Sequence, residues 1–315
     1  MKGRRHWKTW LPMLAALTFC GILIGVYAGP LEPPGPPGDP TMIPIDQVDP
    51  RIPIYGFMLP FTIEDPGSYY LAEEIITTGG GIIVHAHDVT IDLMGFKLEG
   101  GTGPGIDGYL SERTTVRNGT IRGWSGTGIR VSAKAVLTDL IVESNGGSGI
   151  DVGYGSRVTG CTVSNNSVHG IIVGNGCSVE NCTASSNTEN GIWLSGPLGA
   201  LVSGCVVDYN GKNGIRIDGN STILNNHIRG NDLNGTNGKA GIWVNGAHNR
   251  IEGNSIFDNN IGVDLDGSAN ILKGNVIMSN LTEYEINPSS VLNLFLIWDQ
   301  TTPGDPGPWH NVSIH

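Results

Sequence analysis

The sequence is poor in charged and aromatic residues, and basic residues are its scarcest charged group. Charged residues make up 15% of the 315 residues and aromatic residues 7%, whereas an ordinary globular domain has about 25% charged residues. The 18 Lys and Arg face 29 Asp and Glu, for a net charge of −11, so the chain lacks the basic surface that general nucleic-acid binding needs. Its 39% of hydrophobic residues argues against disorder. The 48 glycines favour an all-β chain with many turns.

The N-terminus has the features of an export signal. Arg4, Arg5 and Lys8 precede an apolar run over residues 11–28 that ends in a small-residue cleavage pattern at Ala28. We therefore assign residues 1–28 to a signal peptide and expect an extracellular, periplasmic or cell-surface protein with no membrane span after processing. The alternative is an uncleaved anchor, because the run approaches the length of a membrane-spanning helix.

The remaining chain divides by composition into four segments. Residues 29–53 form a proline-rich linker. Five prolines lie between positions 33 and 40, and their missing backbone donors and fixed φ angles favour extended polyproline-like chain. We assign residues 54–80 to an N-terminal cap, residues 81–285 to repeats and residues 286–315 to a C-terminal cap or tail. Caps are expected because the open ends of a repeat array otherwise polymerise.

A repeat defined by Gly followed by Ile or Val fills the central segment. Its glycines are Gly81, Gly105, Gly128, Gly149, Gly170, Gly191, Gly214, Gly241 and Gly262. The steps are 24, 23, 21, 21, 21, 23, 27 and 21 residues, too short for a propeller blade of about 40 residues. Alternation of period two places Ile129 and Val131 inside and Arg130 outside. The pattern predicts a single-stranded parallel β-solenoid of about nine coils.

A second set of positions predicts an inward column of small and polar side chains. Its members are Leu140, Cys161, Cys182, Cys205, Asn226, Asn254 and Asn275, each three residues after a column of Leu, Val or Ile. Stacked Asn side chains can satisfy one another along such a column. We expect the cysteines, including Cys177, to be buried thiols. A disulfide and a metal site are the alternatives, although the cysteine spacing matches no zinc motif.

Three segments carry a resemblance to a known family. They are residues 61–71, which resemble the entry segment of a known β-helix family, and residues 89–98 and 115–121, which resemble its first two coils. The chain resembles the right-handed parallel β-helix superfamily, which includes the pectate-lyase-like enzymes and NosD-type repeat proteins. The resemblance implies the fold and does not specify a reaction. In enzymes of the superfamily the substrate groove lies on an outward sheet face. The Asp, Gly-His-Gly and Arg-x-Lys motifs of polygalacturonase-type hydrolases are missing from this sequence.

The residues after each repeat glycine form two outward columns on one face. The first column is Ile83, Asp107, Arg130, Asp151, Ile172, Trp193, Arg216, Trp243 and Asp264. The second is His85, Tyr109, Ser132, Gly153, Gly174, Ser195, Asp218, Asn245 and Asp266. In the first column, the alternating signs of Asp107, Arg130 and Asp151 predict a cross-strand charge ladder.

The C-terminal half of this face holds the candidate binding site. Trp193 and Trp243 are predicted two coils apart with Arg216 between them, and flat aromatic faces stack on sugars while Arg reads hydroxyls or carboxylates. We take Trp193, Arg216, Trp243 and Asn245 as candidate substrate-binding residues. Two other interpretations stay open: loops cover the tryptophans, or Arg216 stacks between them as a cation–π sandwich.

Acidic residues flank these tryptophans. Arg216, Asp218, Asp264 and Asp266 are the candidate catalytic residues of a polysaccharide lyase or glycoside hydrolase, and Arg216 would serve as a lyase base only with a depressed pKa. Asp264 and Asp266 lie on one strand and could hold Ca²⁺; otherwise no cofactor is expected. Solvated acidic residues at strand ends are the simpler explanation.

Two hypotheses of function remain. The first is an exported β-helix protein that binds, and could modify, a polysaccharide or cell-surface glycan. The second is a non-catalytic structural or adhesive protein of the envelope or cell surface, with the solenoid as a rigid rod. Both predict a monomer that binds neither nucleic acid nor membrane. A further pair, His85 and His87, shares a strand face, and we interpret it as a surface pair rather than a metal site.

Overall fold

The protein is an all-β parallel solenoid, as the repeat predicts. The computed structural model describes residues 51–232 and 239–287 with their side chains, and the backbone of residues 295–297 and 312–314. The predicted signal peptide, most of the linker and most of the C-terminal segment lie outside the described residues. In the part described, the only helix is a 3-10 turn at Gly56–Met58, and no helix there is long and apolar enough to cross a membrane.

One sheet is built from the strands that follow the repeat glycines. Its twelve parallel strands are β2 (Phe61–Ile63), β5 (Ile82–Val84), β8 (Ile106–Gly108), β10 (Ile129–Val131), β12 (Ile150–Val152), β15 (Ile171–Val173), β18 (Ile192–Leu194), β21 (Ile215–Ile217), β24 (Ala240–Val244), β27 (Ile261–Leu265), β30 (Thr282–Ile286) and β32 (Val312–Ile314). Each strand pairs with the strand one coil away, so the stack makes about eleven turns.

The other strands form a twenty-stranded sheet that closes each coil. They are β1 (Ile52–Ile54), β3 (Gly67–Leu71), β4 (Ile75–Ile76), β6 (Val89–Asp92), β7 (Lys97–Glu99), β9 (Thr115–Arg122), β11 (Val136–Glu143), β13 (Arg157–Thr159), β14 (Thr162–Ser164), β16 (Ser178–Glu180), β17 (Thr183–Ser185), β19 (Leu201–Ser203), β20 (Val206–Asp208), β22 (Thr222–Leu224), β23 (His227–Arg229), β25 (Arg250–Glu252), β26 (Ser255–Phe257), β28 (Ile271–Lys273), β29 (Val276–Met278) and β31 (Phe295–Ile297).

The count of about nine predicted coils was too low because the outer coils lack the repeat signature. Strand β2 follows Pro60 rather than a glycine, and β30 has the buried Glu283 at the glycine position. The segment assigned as an N-terminal cap continues the same stacking, with Thr62 of β2 paired to Ile83 of β5. At the other end, the backbone of β31 pairs with β28 and that of β32 with β30.

The core is a set of stacked aliphatic columns. In β10, Ile129 and Val131 are buried and Arg130 is partly exposed, as the alternation predicts. The repeat position requires glycine because neighbouring atoms pack closely against its Cα. A Cβ on Gly149 would lie 2.3 Å from Val163 Cγ1 and 2.9 Å from the carbonyl oxygen of Gly170. A larger residue would therefore push neighbouring coils apart, which explains why glycine recurs here.

Buried polar side chains complete the interior. The predicted column is confirmed: its cysteines Cys161, Cys182 and Cys205 are free and buried, and Asn226 Nδ2 donates to Asn254 Oδ1 over 3.0 Å. Cys177, which lies outside this column, is also a free buried thiol, as predicted. A longer ladder was missed. It runs through Asn145, Asn166, Asn187, Asn210, Asn231, Asn259 and Asn280. From Asn166 onward, the Oδ1 of each member accepts both the backbone N–H and the Nδ2 of the asparagine one coil before it.

Candidate functional site

The first outward column lies on one face of the twelve-stranded sheet in the predicted order. Trp193 pairs with Arg216, Arg216 with Trp243, and Trp243 with Asp264, each one coil apart. The structure extends this column by one residue, because Asp264 pairs with Glu285. Parallel strands without a register shift therefore bring these five side chains into one row.

The tryptophans and Arg216 form a cation–π sandwich. The guanidinium carbon of Arg216 lies 4.6 Å from the ring centroid of Trp193 and 4.7 Å from that of Trp243. Of the two open interpretations of the tryptophans, this geometry supports the sandwich. The indole faces directed at Arg216 are occupied, so the two rings do not form a flat, open platform for a sugar. Both tryptophans and Arg216 remain partly exposed.

Two carboxylates hold the sandwich in place. Asp218 Oδ2 accepts a hydrogen bond from Trp193 Nε1 at 3.0 Å, and its Oδ1 accepts one from Arg216 Nε at 3.3 Å. Asp266 Oδ2 accepts from Trp243 Nε1 at 2.8 Å. Both indoles are thus oriented by acidic residues of the second column. The ion pair with Asp218 stabilises the charged guanidinium, which favours a hydrogen-bond donor role for Arg216 over the base role.

Arg216 keeps unused donors. Its side chain is 27% exposed, and only Nε donates a hydrogen bond to the described part of the chain. A guanidinium carries five N–H donors in a fixed fork. The four N–H groups on its two Nη atoms therefore remain available to a ligand, and the two indoles fix their position.

Asp264 is the carboxyl group most perturbed on this face. Burial, followed by the nearby Asp266 and Glu285, raises the pKa of Asp264 to about 7, against a smaller opposing effect of Lys239. A carboxyl group with such a pKa is half protonated near neutral pH, a property of general acids in hydrolases. Lys239 also lies over the Trp243 ring, with Nζ 4.8 Å from the centroid.

Asp264 and Asp266, the candidate Ca²⁺ ligands, lie close together in sequence, but few further ligands surround them in the described part of the chain. One oxygen of Asp266 is engaged by Trp243. Residues 51–232 and 239–287 contain no group of three or more His, Cys, Asp or Glu side chains arranged to hold a metal ion. Asn245, the remaining candidate binding residue, is exposed between the two tryptophan-binding aspartates of the second column.

The structure places three further residues at this site that were not predicted from the sequence: His169, Lys239 and Glu285. His169 packs its ring edgewise on Trp193, with centroids 5.0 Å apart. Its Nδ1 accepts the backbone N–H of Asn190, and burial lowers its pKa, so the ring is a neutral support for the indole. A sequence signal was available only for His169, which stands just before the repeat Gly170. Lys239 lies in a long insertion, and Glu285 lies in a coil that lacks the repeat glycine.

The N-terminal half of the face carries a second group of polar and aromatic residues. Arg130 donates to both carboxylate oxygens of Asp107, over 3.1 and 2.7 Å, and its guanidinium carbon lies 5.2 Å from the Tyr109 ring centroid. The predicted charge ladder is therefore uneven: Arg130 forms its ion pair with Asp107, while burial raises the pKa of Asp151, partly offset by Arg130.

The histidine pair at the start of this face is divided between separate partners. His85 Nδ1 lies 2.9 Å from Glu64 Oε1, and His87 Nδ1 accepts the backbone N–H of Glu112. Each ring is held by its own contact.

Comparisons with known proteins agree with this architecture. Residues 104–246 and 199–293 match the family model described as "Right handed beta helix region", and together they cover more than half of the chain. Solved structures that are similar include the mannuronan C-5 epimerase AlgE6 A-module of Azotobacter vinelandii, with a TM-score of 0.51 and 14% identity over 84% of this chain and 88% of that one.

Two other solved structures are more distant. The AlgE4 A-module of the same organism has a TM-score of 0.45 at 13% identity, over 84% of this chain and 89% of that one. The catalytic domain of a GH87 α-1,3-glucanase in complex with tetrasaccharides has a TM-score of 0.42 at 14% identity, over 80% and 53%. No curated protein sequence matches this chain. At these identities the likeness is one of fold alone.

Proposed function

We propose that this chain, which belongs to the right-handed β-helix family, is an exported protein that binds polysaccharide along the outward face of the twelve-stranded sheet. The binding site is centred on Trp193, Arg216 and Trp243, with Asn245 at its side. The observation that carries the proposal is the held guanidinium of Arg216, which is fixed between two indoles and has four N–H donors that make no hydrogen bond to the described residues.

The chemistry of the row suits sugars. Indole edges offer apolar surface to the C–H groups of a sugar ring, and a fixed guanidinium fork donates to pairs of neighbouring hydroxyl oxygens. Because both indoles are oriented by Asp218 and Asp266, little side-chain freedom is lost when a ligand binds, which is how preorganisation adds affinity. A row of side chains repeating at about 4.8 Å along the solenoid also suits an elongated ligand.

Hydrolysis of the bound polymer is a second candidate activity, and Asp264 favours it. Its pKa of about 7 lets it donate a proton near neutral pH, while Asp218 and Asp266 are the nearby carboxylates that could serve as its partner. Both aspartates already accept an indole N–H, so their role in positioning Trp193 and Trp243 is supported more directly than a role in catalysis.

The alternative function is that of a rigid structural or adhesive rod. The observation that favours it is the self-sufficiency of the sandwich, in which Arg216 covers one face of each indole and aspartates accept both indole N–H groups. Such packing can persist without a ligand.

A polysaccharide panel separates these functions. The purified protein is passed over immobilised glucans, mannan, xylan, polygalacturonate and alginate, with Ca²⁺ and with a chelator, and scored for retention and for new reducing or unsaturated ends. Retention without new ends supports binding alone, and new reducing ends support hydrolysis. Retention lost with the chelator and in an Asp264→Asn, Asp266→Asn double variant would support the Ca²⁺ site. No retention on any polymer would contradict the proposal and favour the structural or adhesive role instead.

A further inference from the structure

The arrangement around Arg216 has a counterpart at the other end of the same face. There, Arg130 lies over an aromatic ring, Tyr109, and pairs with an aspartate, Asp107, as Arg216 lies over tryptophan rings and pairs with Asp218. Tyr109 is 65% exposed, so most of its side chain is accessible from solvent. The same combination of aromatic ring, arginine and aspartate therefore occurs twice in one pair of columns.

A cavity lies beside this second group. It has a volume of about 220 Å³ and is lined by Ile83, Val84, His85, Asp107, Tyr109, Leu110 and Arg130. Pockets for drug-sized ligands have volumes of roughly 300–1,000 Å³, so this cavity suits a single sugar ring rather than a whole oligosaccharide. Tyr109 offers its ring to the cavity, and the Nη1 of Arg130, which makes no hydrogen bond to the described residues, remains a donor.

The second column has no side chains between the two groups, whereas the first column carries Asp151 and Ile172 there. At the second-column positions of the two intervening coils stand Gly153 and Gly174. A Cβ on Gly153 would lie 2.9 Å from the backbone carbon of Ser132, so the backbone itself keeps a side chain out. Four coil steps separate Asp107 from Trp193, about 19 Å at about 4.8 Å per step. A linear polymer can lie over this floor and touch both groups.

The charge of the face selects against acidic polymers. The two columns carry six carboxyl groups, Asp107, Asp151, Asp218, Asp264, Asp266 and Glu285, and two guanidinium groups, with Lys239 beside them. Both arginines already pair with a carboxylate. The whole chain has a net charge of −11. A polyuronate would therefore meet repulsion along most of its path.

We propose that the group formed by Tyr109, Arg130 and Asp107 is a second sugar-binding subsite, and that one strand of an uncharged polysaccharide runs from it to the sandwich of Trp193, Arg216 and Trp243. This inference rests on the proposed function, since it requires that the sandwich binds glycan. It adds a distant subsite, a minimum ligand length and a charge class.

Oligosaccharide length provides the test. Affinities are measured by calorimetry for uncharged oligosaccharides of two to eight sugars, taken from whichever neutral polymer the panel retains, with oligogalacturonates of the same lengths as the charged series. Tyr109→Ala is expected to lower the affinity for the longest neutral oligosaccharide about tenfold and to leave that for the disaccharide unchanged. Trp193→Ala is expected to lower both.

Tyr209→Ala is the matched control. Tyr209 is 48% exposed and also lies under an arginine, Arg229, at 6.0 Å, but it follows β20 in the twenty-stranded sheet. It should leave every affinity unchanged. If Tyr109→Ala behaves like this control while Trp193→Ala loses binding, the second subsite is refuted and the proposed function stands. If the oligogalacturonates bind more tightly than the neutral series, the charge class is wrong. If no oligosaccharide binds the wild-type protein, the proposed function itself fails.

Discussion

Asp218 accepts a hydrogen bond from the indole nitrogen of Trp193, a residue one coil away, at 3.0 Å. The same carboxylate accepts from Arg216 Nε, so one side chain sets the orientation of both members of the cation–π pair. The aspartate is thus a positioning residue for the row.

Replacement of Asp218 should release the indole. Asp218→Ala removes the acceptor and is expected to cost about 1 kcal/mol of stability and to increase quenching of Trp193 fluorescence by acrylamide. Asp218→Asn keeps a carbonyl acceptor and should retain most of the wild-type quenching behaviour. The measurement is made in a background with Trp243→Phe to reduce overlapping emission. Equal quenching in the alanine and asparagine variants would show that the hydrogen bond does not hold the ring.

Removal of either indole should weaken glycan binding more than it weakens the fold. Trp193→Ala or Trp243→Ala is expected to lower the free energy of polysaccharide binding by about 1–3 kcal/mol, the loss of one aromatic anchor. Loss of a partly exposed cation–π contact should cost about 1 kcal/mol of stability. Retention assays and thermal melts check the two effects. Normal binding together with a large drop in melting temperature would identify the tryptophans as packing residues and support the rod.

Asp264 should make stability depend on pH. Its pKa is about 7 in the folded protein and about 3.9 in an unfolded chain, so folding takes up a proton between these values. Its contribution to stability therefore decreases as the pH rises from about 4 to about 7. Asp264→Asn removes this cost and should be more stable than wild type by about 1–2 kcal/mol at pH 8, allowing for solvent screening.

The gain from Asp264→Asn should shrink towards zero at pH 4 to 5, as followed by urea unfolding across the pH range. Asp139→Asn, at an exposed position of the twenty-stranded sheet, is the control and should show no such gain. A wild-type protein whose stability relative to Asp264→Asn does not change with pH would contradict the raised pKa.

The buried thiols should react only after unfolding. Burial raises the pKa of the Cys177 thiol, and contact with Cys182 followed by burial raises that of Cys161, so both are kept from the reactive thiolate form. A thiol reagent should label none of the four described cysteines in the native protein and all four in guanidinium. Native-state labelling of Cys161, Cys182 and Cys205 would show that the column faces solvent. Absence of labelling after denaturation without reductant would indicate disulfides.

The asparagine ladder should be a main source of stability. Asn187→Ala leaves the backbone N–H and Nδ2 of Asn166 without their acceptor, Asn187 Oδ1, and each buried unpaired group costs about 1–3 kcal/mol. We expect a loss of about 3 kcal/mol or more in urea unfolding. Thr188→Ala, at the exposed neighbouring position, should change stability by less than about 0.5 kcal/mol. Similar values for the two variants would mean that the ladder is not needed.

The repeat predicted the fold for two reasons. Its period of about 21 residues sets how successive coils align, and the inward–outward alternation of side chains then leaves only one register between them. The inward Ile129 and outward Arg130 follow from that register alone, as does the order of Trp193, Arg216 and Trp243. The end coils escaped prediction because β2 and β30 have no glycine signature, and the long asparagine ladder escaped because its members precede the repeat glycine in turns, where Asn is common for other reasons.

The candidate site was predicted in position and not in detail. Adjacent coils had to place Arg216 between the tryptophans, but the direction of the rings depends on which carboxylates reach the indole nitrogens. Asp218 and Asp266 do so through contacts between coils, and side-chain contacts of this kind have no local signal in a sequence. His169 was missed for the same reason, whereas Glu285 was missed because its coil lacks the repeat glycine.

Because the coils stack uniformly, the distance between two residues of one column is set by the number of coils between them. Each coil adds about 4.8 Å, so the four steps from Asp107 to Trp193 set a length as well as a fold. Duplication of residues 150–170, one complete coil between Gly149 and Gly170, would move Tyr109 away from Trp193 by a single rung and leave the contacts within each group unchanged. Under the proposed binding mode, an oligosaccharide that bridges the two groups would then need about one more sugar, so gain or loss of whole coils would alter the length preference in discrete steps.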